Sequence, residues 1–141
     1  LSSSACVSIP HASASLDAEA KRFAPPPPGK AAVYVVRPSR MVGAAVALSV
    51  LVNGQHVGAT GSCTYLYLPI EPGPTVVSTM TGESLSKVEF VAHADSTYFV
   101  AQEARMGLVA ARAQLTLVSA QEGRPSVQGC TRVESQSVTK P

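Results

Sequence analysis

The feature that most constrains this chain is an alternating apolar stretch that folds back on itself between Val46 and Gly73. Val46, Leu48, Val50 and Val52 alternate with Ala47, Ser49 and Leu51. A period of two places one set on a single face of a strand, which a helix of 3.6 residues per turn does not do. Asn53-Gly54 follows at once and supplies the positive-φ residues of a tight hairpin turn. His56 to Thr60 is the short return. Cys63 to Leu68, rich in Tyr and Leu, reads as a third strand ended by Pro69, and Pro72-Gly73 turns the chain again.

The same period holds on both sides of this stretch. Ala31 to Arg37 is a strand stopped by Pro38, and Thr75 to Thr81, Lys87 to His93, Thr97 to Gln102 and Arg112 to Ser119 are further strands. Ala104 to Ala113 is rich in Ala but broken by Gly107, and is read as a loop or bulge between two strands. Glu122-Gly-Arg-Pro125 reads as a closing turn, followed by a packed coil to Cys130. Turn signals recur every ten residues or so and no core helix stands out. The expectation is an all-β fold, a single antiparallel β-sandwich of seven to eight short strands with an extended N-terminal tether.

The expected organisation is a tether over residues 1–30, a sandwich over 31–133 and a loose tail over 134–141. The tether holds a short helical piece, Leu16 to Phe23, which Asp17 is placed to cap. Pro25 to Pro28 follow and prefer an extended, semi-rigid path, which suits a spacer. Leu1 to Ala5 ahead of Cys6 has the small residues, Ser3 and Ala5, of a secretory cleavage region, and points to export.

Charge and motifs exclude several classes. The net charge is +2, with no basic run longer than Lys21-Arg22, which speaks against nucleic acid. His11, His56 and His93 have no metal-binding spacing and read as surface or strand-end residues, so neither a metal nor another cofactor is expected. There is no nucleophile elbow and no phosphate-binding glycine loop, so the chain is read as not an enzyme.

Three cysteines remain. An odd count in an exported chain leaves one over, and a lipid on Cys6 accounts for it. Cys63 and Cys130 then pair as a disulfide; the alternative is two separate buried thiols. A further candidate is a binding rim. Arg37 and Arg105 sit at strand ends, and if they converge, with Glu103 between them, they would take an anionic glycan or lipid head group. Tyr34 and Tyr98, with Tyr65 and Tyr67, would supply the stacking surface.

The order of these pieces resembles a known family. A cysteine-led tether ends in Ala20-Lys-Arg-Phe23 and prolines. Val33-Tyr-Val-Val-Arg-Pro38, Val50-Leu-Val-Asn-Gly54, Val57-Gly58, Tyr65 to Leu68 with Pro72-Gly73, Tyr98-Phe99 with Gln102-Glu103, and Met106-Gly107 come after it. This is similar to the bacterial lipoproteins carrying domain of unknown function 2846. The resemblance implies a β-sandwich like the PEGA-type surface modules, tethered through an acylated cysteine. A bacterial lipobox usually has Leu three residues before the cysteine, where this chain has Ser3. Val7 after the cysteine lacks the Asp of inner-membrane retention, so the implied place is the outer membrane, facing the periplasm or the surface. The expected function is a non-catalytic envelope module whose partners are the membrane and another envelope protein. The sequence does not specify an oligomeric state.

Overall fold

A computed structural model describes residues 9–39, 46–81, 85–106 and 111–138, the side chains at 105, 106 and 111 apart. The fold is an all-β sandwich of two sheets. The larger contains β1 (Ala31–Arg37), β4 (Thr64–Ile70), β7 (Thr97–Met106), β8 (Ala111–Val118) and the short β9 (Thr131–Arg132), in the order β8-β7-β1-β4-β9. The smaller contains β2 (Leu48–Val52), β3 (Gln55–Thr60), β5 (Gly73–Met80) and β6 (Leu85–Ala92), in the order β3-β2-β5-β6. Two helices, α1 (Ala14–Ala20) and α2 (Ala120–Gln128), lie on the outer face of the larger sheet.

The hairpin at the centre of the sequence pattern forms as expected. Asn53 (φ 50°) and Gly54 (φ 82°) make the two-residue turn between Val52 and its partner Gln55. Asn53 does more than turn the chain. Its side-chain oxygen accepts the Val76 N–H at 2.8 Å and its own N–H donates to the Val76 carbonyl, also at 2.8 Å, so the turn is sewn to β5. Val50 and Val52 face inward against Val33, Val35, Leu66, Leu68 and Val100 of the facing sheet, and Leu48 packs against Ala104 and Ala113 of that same sheet.

Three expectations about strands change. The larger sheet is mixed rather than antiparallel: β1 runs parallel to β7, and β4 parallel to β9. The smaller sheet is inserted in the chain between β1 and β7, so nothing constrains them to the antiparallel pairing of a hairpin. Pro69 does not end β4, which continues to Ile70. The carbonyl of Tyr65 points to β9, where it accepts from Val133, so by alternation Pro69 points the same way. Beyond Tyr65 no residue of β9 pairs with β4, and the missing N–H costs no ladder bond. Finally, the Ala104–Ala113 stretch is mostly strand, since β7 reaches Met106 and β8 starts at Ala111; Gly107 lies outside the described residues.

From Ile9 onward the expected tether is bound to the domain. His11 bridges Val133, Ala12 donates to Arg132 at 3.0 Å, and α1 lies on the sheet with Ala20 buried. The cap of α1 is Ser13, whose oxygen accepts the Leu16 N–H at 3.2 Å, and not Asp17. The tail is bound too: Gln136 donates to Val57 and Gln55 to the Ser137 carbonyl, both at 2.7 Å, and Val138 packs on the core. These segments run along the β9 and β3 edges. At the other side β6 meets β8, where Leu115 N–H donates to Ser86 at 3.0 Å. Covering edges in this way removes the unpaired backbone rows that invite aggregation.

Candidate functional site

The outer face of the larger sheet carries the aromatic residues. Period two sends Tyr34 and Val36 of β1, Tyr65 and Tyr67 of β4, and Phe99 of β7 to this face. Tyr34 stacks on Phe99, with ring centroids 5.0 Å apart and planes at 8°. Phe23, just after α1, leans over both at 5.4 and 6.1 Å, and Arg124 of α2 lies over Phe23 at 5.3 Å. Helix α1 is brought down by polar bonds. The Tyr34 hydroxyl donates to the Ala20 carbonyl at 2.7 Å, and the Tyr65 hydroxyl donates to the Asp17 carboxylate.

Asp17 is the pin of this layer. It also accepts from Lys21 at 3.3 Å and from the main-chain N–H of Arg132 at 3.2 Å. Burial alone would raise its pKa, but the bonds from Tyr65, Lys21 and Arg132 and the Lys21 charge together hold it below the usual carboxylate value. Burial, with Tyr67 close by, pushes Tyr34 up to about 12, and burial and the Asp17 bond push Tyr65 higher still. A disulfide between Cys63 and Cys130 (Cα–Cα 4.7 Å) ties the chain just before β4 to the end of α2. It spans 67 residues, which on the chain-entropy account is worth about 4 kcal/mol.

The expected binding rim does not assemble. Tyr34 is 2% exposed, under α1 and Phe23, so it is core. Arg37 is 3% exposed, because alternation with Ala31, Val33 and Val35 turns it into the sandwich. There its guanidinium donates to the Val46 and Thr60 carbonyls, beside a buried chain in which Thr60 donates to Gln102 and Gln102 to Thr79. Tyr98 holds the β6–β7 turn, its hydroxyl accepting the His93 N–H at 2.9 Å while its ring packs on Phe90 at 4.7 Å. Arg105 lies four residues past Ala101, the partner of Val36, and pairs with Arg112 on β8. Cys6 lies outside the described residues.

The structure opens clefts elsewhere. One, of about 330 Å³, lies where Pro25 to Pro28 run past the sheet, and it is lined further by Glu19, Tyr67 and Arg132. The Arg132 guanidinium sits over the Tyr67 ring at 5.2 Å and donates to the Leu16 carbonyl at 3.0 Å. A second, of about 320 Å³, separates Glu103, Gln114 and Thr116 from Glu122 and Ser126 of α2. Among the described residues no three His, Cys, Asp or Glu side chains gather as metal ligands. Arg132 and the proline wall were not identified from sequence. The available signal was β1, Ala-Ala-Val-Tyr-Val-Val, which is apolar on both faces and so calls for a cover on each.

The family model described as Protein of unknown function (DUF2846) matches residues 27–114. The chain belongs to the DUF2846 family. An uncharacterized protein of Haemophilus influenzae is 27% identical over 124 residues, covering 88% of this chain and 73% of the relative. The DUF2846 match takes in β1 to β7 and half of β8, with Pro27, Pro28, Tyr34 and Tyr67 of the proline cleft. Both helices, Cys130 and Arg132 lie outside the DUF2846 match, so the cleft is built jointly by the matched region and its flanks.

Proposed function

We propose that this DUF2846 chain is a non-catalytic module of the cell envelope, held at a membrane by an acylated Cys6. The observation that carries the reading is the Cys63–Cys130 disulfide. It suits an oxidising compartment, and it accounts for two of the three cysteines, leaving Cys6. Cys6 is three residues ahead of Ile9, so the anchor would be within about 10 Å of the packed body. The domain then lies at the bilayer surface. Pro25 to Pro28 follow α1 and line the cleft on the sheet, so they serve as a wall and not as a stand-off spacer. Likeness to PEGA-type modules and an outer-membrane address, the latter from Val7, belong to the same reading.

The non-catalytic part rests on what the polar groups do. Asp17, Tyr34, Tyr65 and Arg37 all hold helices, strands or connections together. For an envelope partner, the outer face of the smaller sheet is open, with Met80 (58%), Leu85 (64%) and Val91 (56%) exposed on it. Metabolic labelling with a fatty-acid probe tests the anchor. Label is expected in the wild-type chain and lost in Cys6→Ser; equal labelling of both ends the proposal.

A further inference from the structure

We propose that the cleft between Pro25–Pro28, Tyr67 and Arg132 binds an acidic saccharide, a sugar ring bearing one carboxylate. This goes beyond the envelope reading and does not depend on the lipid anchor. The cation is in place before any ligand arrives. Stacking on Tyr67 and the bond to the Leu16 carbonyl fix the Arg132 guanidinium from two sides. Among the described residues no carboxylate pairs with it. Asp17, which bonds the Arg132 main chain, is taken up by Tyr65, Lys21 and that same N–H. The rest of the guanidinium fork matches the two oxygens of a carboxylate, which an ammonium group would meet only as a point charge.

The walls favour a sugar as the body of the ligand. Proline rings and the edge of Tyr67 give an apolar surface for a pyranose face. Prolines have no N–H, so their wall offers acceptors alone. Among the described residues only the Pro27 carbonyl takes a backbone donor, from Lys30 at 2.9 Å. The Tyr67 hydroxyl, at the same cleft, can bond a polyol. Glu19, which also lines the cleft and lies 3.7 Å from the exposed Arg22, can accept hydroxyls. A volume of about 330 Å³ is at the low end for small-molecule sites and suits one or two rings.

The test is a ¹H–¹⁵N NMR titration of the full chain with glucuronic acid, glucose and acetate. Glucuronate is expected to shift the amides around Ala20, Ala24, Tyr67 and Arg132 in the millimolar range. Glucose and acetate should each bind at least about tenfold more weakly, since each lacks half of the recognition. Arg132→Gln should weaken glucuronate by about tenfold or more. Tyr67→Phe, which keeps the ring and its packing, should weaken it about fivefold. The proposal is overturned if glucuronate shifts nothing, if its shifts fall elsewhere, if Arg132→Gln and Tyr67→Phe leave binding unchanged, or if acetate binds as well as glucuronate.

Discussion

At the scale of single residues, the third layer depends on a few atoms. Gly123 faces Phe99 so closely that an added Cβ would sit 2.5 Å from its ring. Gly123→Ala must therefore push α2 off the sheet, and is expected to cost about 1–3 kcal/mol in spite of the better helix propensity of Ala. Urea unfolding of the two proteins measures it; an unchanged or higher midpoint would contradict the close approach. Asp17 predicts a pH dependence. Its folded pKa is below the unfolded value of 3.8, so its contribution is present above that value and is lost as pH falls through the folded pKa. The wild type should be the more stable at neutral pH, and its stability should drop on acidification below about pH 4 by more than that of Asp17→Asn; equal drops would contradict the bonds to Asp17. Tyr34 works in the opposite sense: raised from 10.0 to about 12, it withdraws stability as pH climbs through that interval.

At the scale of elements, the strands and the short helix ahead of the prolines were legible in the sequence and the second helix was not, for identifiable reasons. Period two and Asn53-Gly54 are local signals, and they located β2 and β3 closely. Helix α2 was hidden because Gly123 and Pro125 look like a turn. In the fold, Gly123 is what permits contact with Phe99, and Pro125 and Gln121, the residue whose carbonyl its missing N–H would have met, are both exposed. Residue type alone suggests a rim for Arg37 and Tyr34, and strand phase overrides it. Counting from Val33 and Val35 places Arg37 inside, and the unbroken apolar run of β1 places Tyr34 under a second layer. Asp17 and Arg132 are 115 residues apart, and nothing local announces that they meet.

At the scale of the whole molecule, the described segments on either side of the matched region complete the domain. The matched region, 27–114, holds both sheets apart from β9 and the end of β8, but neither helix. A fragment limited to 27–114 would leave Tyr34, Tyr65 and Phe99 facing water, and lose the disulfide and the C-terminal segment that covers the β3 edge. It is expected to be aggregated or molten, with poorly dispersed amide resonances, where the chain from Ile9 to Val138 gives a dispersed spectrum. A well-dispersed spectrum from the short fragment would show that the third layer is an ornament.

The functional account rests on the separate fates of three cysteines, and one measurement reads them together: mass spectrometry of peptides from the protein extracted from envelopes without reduction. The account predicts a cross-linked peptide pair containing Cys63 and Cys130, and a Cys6 peptide carrying fatty-acyl mass. Free thiols at 63 and 130 with an unmodified Cys6 would contradict it.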